Sequence, residues 1–137
     1  MMKLKIAQIQ MSVTQDREEN IRRACRLVRE AGDVDLAVLP EMFCCPYDNA
    51  CFRQYGEEEG GAAWQALSAL AQERHIWLVG GTVPELAEGR VYNTCYVFDP
   101  EGRCVAKHRK VHLFDIDIRG GMRFMESETL AAGDRVT

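Results

Sequence analysis

Apolar positions along the chain change their spacing several times, and each spacing predicts an element. The N-terminal residues Met1-Met2-Lys3-Leu4-Lys5-Ile6 alternate polar and apolar, and Leu4 to Gln10 reads as a strand with β-branched content. Asp16 stands three residues before Glu19, the spacing of a capping box that opens a helix. Ile21, Ala24, Cys25, Val28 and Ala31 then recur at helical intervals, with Arg22, Arg26, Arg29 and Glu30 on the other side and Gly32 as the stop. Asp35 to Leu39 is a short apolar run, as in a strand covered on both faces. Strand, helix and strand with short connections predict a βαβ unit.

After Pro40 the pattern becomes irregular, with Pro46, Asp48, Asn49, Gly56, Gly60 and Gly61; loops of this length are often functional. Trp64, Leu67, Leu70 and Ala71 share one face of a second helix. Strand character resumes over Ile76 to Val79 and ends at Gly80-Gly81. Val91 to Phe98 is a further strand, and Asp99-Pro100-Glu101-Gly102 turns it back into Arg103 to Arg109 as a hairpin. Gly120-Gly121 marks a flexible loop, and Ala132 to Thr137 looks like a turn entering a strand. No internal repeat, low-complexity tract or domain linker interrupts the chain, so residues 1–137 read as one α/β domain.

Composition narrows the class. Hydrophobic residues make up 47% of the chain, which suits a packed core rather than disorder. No apolar stretch reaches the length of a membrane span, and the alternating N-terminus lacks the apolar block of a signal peptide, so the expectation is a cytoplasmic protein without membrane partners. A net charge of −4 argues against a nucleic-acid partner. In a protein without a secretory signal, the six cysteines read as reduced thiols, buried or partly buried. His108, His112 and Asp115 lie where a strand runs into a loop, and that spacing does not require them to converge on a metal. His75 stands at a helix end, where it can cap carbonyls against the dipole. The glycine pairs lack the context of a phosphate-binding loop.

Two residues carry candidate chemistry. Glu41 follows Pro40 at the C-terminal end of a buried strand, where ligand crevices form in α/β sheets, and a carboxylate there can act as a general base. Lys110 ends the return strand of the hairpin, and an ammonium there can stabilise a developing oxyanion. By position alone, each also reads as a solvated residue at a strand end.

The contexts of these residues resemble the carbon–nitrogen hydrolase (nitrilase) superfamily. Lys5 to Gln10 is similar to its first strand, Leu39-Pro40-Glu41-Met42-Phe43 to its general-base motif, and Arg109 to Asp115 to its lysine motif. Val79 to Thr82 and Tyr92-Asn93-Thr94 resemble the strands between them. The segment His112 to Asp117, followed by Phe124 to Glu128, resembles the omega-amidase branch, whose members hydrolyse short dicarboxylic monoamides such as succinamate to acid and ammonia. The loop Arg119-Gly120-Gly121-Met122-Arg123 departs from the proline, glycine and lysine common there, which bears on substrate choice.

The resemblance implies a four-layer α-β-β-α sandwich with a mixed sheet, of which this chain forms the N-terminal part. It implies a small amide substrate, no metal or organic cofactor, and a homodimer or higher homo-oligomer in the complete protein. Glu41 is then the general base and Lys110 the oxyanion holder. Glu126 falls at a second active-site glutamate, with Glu128 as the alternative two residues on, and Tyr47 falls at a position lining the substrate pocket. The nucleophilic cysteine of the family lies on a later strand, beyond Thr137. Cys44 and Cys45, close to Glu41 in sequence, do not match its place. The alternative expectation is an inactive fragment that acts only by associating with another chain.

Overall fold

A computed structural model describes residues 3–137; Met1 and Met2, which open the alternating N-terminal segment, lie outside it. The elements are β1 (Ile6–Gln8), α1 (Arg17–Glu30), β2 (Leu36–Val38), α2 (Asn49–Phe52), α3 (Ala62–Arg74) and β3 (Trp77–Val79), then β4 (Val83–Ala87), β5 (Arg90–Phe98), β6 (Cys104–Arg109), β7 (Asp115–Asp117) and β8 (Arg123–Met125). A 3-10 turn follows over Glu126–Glu128.

The expected βαβ unit is present. β1, β2 and β3 are parallel neighbours, in register as Ile6–Leu36–Trp77 and Ala7–Ala37–Leu78. Asp16 caps α1 by accepting from Glu19 N at 2.9 Å, and Asn20, Ile21, Ala24, Cys25 and Val28 form its buried face. At the end of α3 the backbone N–H of His75, not its imidazole, caps the helix: His75 takes a left-handed conformation (φ 53°), and its N–H meets the Ala71 and Gln72 carbonyls. This corrects the side-chain cap expected from the sequence.

β5 is the longest strand and organises the antiparallel half of the sheet. One edge receives β3 at Val97 and Phe98 and then β4 from Arg90 to Thr94; the other edge receives β6. β3 and β4 act as one strand bent at Gly80-Gly81-Thr82. β4 has no counterpart among the strands expected from the sequence. Its signal is the two-residue turn Glu88-Gly89, with both residues at positive φ (52° and 76°), the geometry of a type I′ hairpin. Pro84 and Glu85 inside it break the usual strand pattern. The expected Asp99–Gly102 turn is held by Asp99 Oδ1, which accepts from Glu101 N at 3.0 Å and Arg103 N at 2.9 Å.

β7 and β8 form a separate ribbon around the Gly120-Gly121 loop. Residues 132–137 form no strand within the described chain; instead Gly133 N bonds Lys110 O at 2.9 Å.

Helices α1 and α3 pack side by side on one face of the sheet, over Ala37, Leu78, Tyr96 and Phe98. Alternation sends Ile6 and Trp77 to the opposite face, where they are 56% and 46% exposed. Among the described residues no helix is long and apolar enough to cross a membrane, and no group of His, Cys, Asp and Glu gathers at a metal-binding position.

Candidate active site

The sheet topology brings the two candidate residues to one rim. β2 runs parallel to β3, β5 runs antiparallel to β3, and β6 antiparallel to β5. The C-terminal ends of β2 and β6 therefore lie at the same edge of the sheet. Glu41 follows the first and Lys110 the second.

Local chemistry fixes each backbone. Leu39 N bonds Val79 O at 3.0 Å, and Pro40 O accepts from Thr82 N at 3.3 Å. Met42 N donates to Thr82 Oγ1 at 2.8 Å. The Glu41 turn thus hangs on the bend between β3 and β4. Gly81 (φ 58°) makes that approach possible, since a β-carbon there would overlap the Pro40 carbonyl oxygen. Met42 itself takes a positive φ of 49°, with its side chain buried in the core. A strained non-glycine backbone beside a candidate base fits a functional site. On the other side of the rim, Lys110 N donates to Asn93 O at 2.8 Å.

Lys110 Nζ lies 3.2 Å from Glu41 Oε1 and 3.1 Å from Glu126 Oε1. The two carboxylates differ in setting: the Glu41 side chain is 48% exposed and that of Glu126 0%. Glu126 Oε2 accepts from Phe114 N at 2.5 Å, and Oε1 accepts from the Tyr47 hydroxyl. Asn49 docks this segment to the Tyr47 loop, donating to Met125 O at 2.9 Å and accepting from Thr129 Oγ1 at 2.6 Å. The Tyr47 ring stacks on Phe124 at 5.3 Å and meets Phe52 edge-on at 5.5 Å.

Burial works to lower the Lys110 pKa, but the bonds to Glu126 and Glu41 outweigh it and hold the ammonium charged above the ordinary lysine range. Burial, together with the bond to Glu126, raises the Tyr47 phenol, which stays a neutral donor. The cluster is an exposed carboxylate, a fixed cation and a buried acid that anchors the cation. That set can accept a proton and stabilise an adjacent negative charge.

All four residues singled out in the sequence, Glu41, Tyr47, Lys110 and Glu126, come together here. Glu128, the alternative to Glu126, instead pairs with Arg123 at the surface, 2.5 Å away. Cys44 and Cys45 are buried and do not join the cluster. Burial raises the Cys44 thiol strongly and pushes Cys45 up to about 12, the reverse of what a nucleophilic thiolate needs. Asn93 belongs in the sequence only to a strand motif, yet its Nδ2 donates to Glu41 Oε1 at 2.7 Å. Its signal is an amide placed between apolar strand positions. Thr82 and Asn49 carry no comparable signal, since their roles depend on which loops meet.

Known proteins similar to this chain place it in a family. The omega-amidase NIT2 of Xenopus tropicalis is 45% identical over 136 residues, covering 98% of this chain and 49% of that protein. The omega-amidase NIT2 of Mus musculus is 46% identical over 132 residues, covering 95% of this chain and 48% of that protein. The crystal structure of Saccharomyces cerevisiae Nit3, a member of branch 10 of the nitrilase superfamily, matches with a TM-score of 0.84 at 38% identity, over 98% of this chain and 50% of that one. The chain thus spans about half the length of the curated relatives it matches. Residues 5–137 match the carbon-nitrogen hydrolase family model, and the chain belongs to that family.

Proposed function

We propose that the complete protein is an omega-amidase-like hydrolase that converts short dicarboxylic monoamides to the acid and ammonia. The observation that carries this reading is Lys110 Nζ held between Glu41 and Glu126, at 3.2 and 3.1 Å, at one rim of the sheet. In the proposed reaction Glu41 takes the proton from a cysteine thiol supplied by the remaining half of the protein. The thiolate attacks the amide carbon, and Lys110 neutralises the oxyanion that forms. Glu126 keeps Lys110 in place, and Tyr47 with its aromatic neighbours lines the substrate side. The tetrahedral adduct expels ammonia, which takes its proton from Glu41. Water, activated by Glu41, then attacks the thioester, releasing the acid and the thiol. This chemistry needs no metal or organic cofactor. We assign it to the cytoplasm, where the six free cysteines stay reduced, and to a homodimer or higher homo-oligomer.

The test is ammonia release from succinamate by the complete protein. Glu41→Gln should lower kcat by about 10²-fold or more, the usual worth of a general base. Full activity in that variant would end the assignment. A second reading, an inactive fragment acting only through association with another chain, is favoured by the exposed Ile6 and Trp77. Ammonia release by the 137-residue chain alone, abolished by Glu41→Gln, would exclude it.

A further inference from the structure

Asn93 is 1% exposed, and the proposed reaction leaves it without a task. Its side-chain Nδ2 donates to Glu41 Oε1 at 2.7 Å, while its backbone carbonyl accepts from Lys110 N at 2.8 Å. Lys110 Nζ closes the ring on the same Oε1 at 3.2 Å. One buried residue therefore ties down the carboxylate through its side chain and the lysine through its backbone.

The two halves of the Glu41 carboxylate are unlike. Both donors fall on Oε1, and Oε2 takes no hydrogen bond among the described residues. The amide orientation of Asn93 follows from the same contact, because the reverse would set Oδ1 against a carboxylate oxygen. In the orientation adopted, Asn93 Oδ1 is buried without a partner. The side chain therefore works through its donor end, Nδ2, which is the end turned to Glu41. An apolar side chain at this position would remove the unpaired atom but leave Glu41 held by Lys110 alone.

We infer that Asn93 is a positioning residue that occupies Glu41 Oε1 and leaves Oε2 as the oxygen that receives the thiol proton. The inference rests on Glu41 acting as the general base. The S–H bond breaks and an O–H bond forms at Oε2, while the Asn93 amide keeps both its protons. Serving a base through one fixed oxygen matters because a misplacement of about 1 Å can cost about 10²-fold in rate.

The experiment compares wild type, Asn93→Ala and Asn93→Asp in the complete protein, with kcat and KM for succinamate measured across pH and normalised to the folded fraction. Asn93→Ala should lower kcat about 10²-fold with KM little changed, the pattern of lost alignment rather than lost binding. Asn93→Asp keeps the shape but sets a second carboxylate beside Glu41. The acid limb of its kcat profile should therefore move to higher pH, as two carboxylates share a proton. A merely structural role would lower the folded fraction and leave the profile in place. Wild-type kcat in Asn93→Ala, or an unmoved acid limb in Asn93→Asp, overturns the inference. An inactive wild type overturns the amidase reading instead. The tether is then judged by the side-chain ¹⁵N–¹H signal of Asn93: a shift on Glu41→Gln supports it, and an unchanged signal overturns it.

Discussion

Outside the site, Glu85 is a further engaged carboxylate, on the helix-facing side of the sheet, and its bonds differ in kind from those of Glu41. It is 1% exposed, accepts from Arg109 through both oxygens at 2.8 and 2.9 Å and from Thr94 Oγ1 at 2.7 Å, and pairs with Lys107. Arg109 also lies over the Tyr92 ring, 4.0 Å from its centroid. Burial pushes the Glu85 carboxyl up, but Arg109, Lys107 and Thr94 outweigh it and bring it from the ordinary 4.5 down to about 2. A carboxyl depressed on folding adds stability above its unfolded value, and that stability is lost as pH falls toward the folded one. Acid should therefore weaken the fold progressively between about pH 4.5 and about pH 2, and Glu85→Gln should flatten that dependence while lowering stability at neutral pH. Urea melts across this pH range check it; a variant with the wild-type acid slope would show that Glu85 is not responsible. Arg109 and Lys110 are adjacent in β6 and its extension, so they serve opposite faces: one locks the strand, the other reaches the site.

At the scale of elements, the bend between β3 and β4 decides where Glu41 stands. Gly81 has a left-handed backbone and no room for a β-carbon, whereas Gly89 (φ 76°) has open space around it. Gly81→Ala should destabilise the protein by about 2 kcal/mol or more, adding overlap to conformational strain, and should displace the Glu41 turn. Gly89→Ala should cost only the strain, about 1 kcal/mol. Paired melting curves and ammonia assays check the contrast; equal effects at both glycines would remove the bend from the account. Helix α1 was legible because a buried stripe, a capping aspartate and a terminal glycine all agreed. Strand ends put Glu41 and Lys110 at a rim of the sheet, but their roles came from the family resemblance of the motifs around them, since position alone reads equally as a solvated residue. β4 was not legible, because Pro84 and a buried Glu85 break its alternation. β7 and β8 were not, because Asp115-Ile116-Asp117 sets one apolar residue between two acids and Arg123-Phe124-Met125 opens on a charge, so neither forms an apolar run. Thr82 and Asn49 act through contacts between distant segments, which no local pattern encodes.

At the scale of the whole molecule, the helix-covered face of the sheet contrasts with a row left partly open on the other face of its three parallel strands. Ile6, Leu36 and Trp77 lie in one row across three parallel strands, and strands of this kind are ordinarily covered on both sides. Prepared alone, the 137-residue chain should self-associate, and Trp77→Lys should reduce that association. Sedimentation velocity checks this; a monodisperse wild-type monomer that melts cooperatively would count against it. The interior also governs Glu41. Met42, its neighbour, keeps a left-handed backbone that costs a non-glycine residue about 1–2 kcal/mol, and the anchorage of its side chain in the core offsets that strain. The carboxylate is thus moored to the hydrophobic interior rather than steered by the turn that bears it. Warmth, or a cavity cut beneath Met42, would slacken the mooring first and swing the base out of alignment while the rest of the fold still stood.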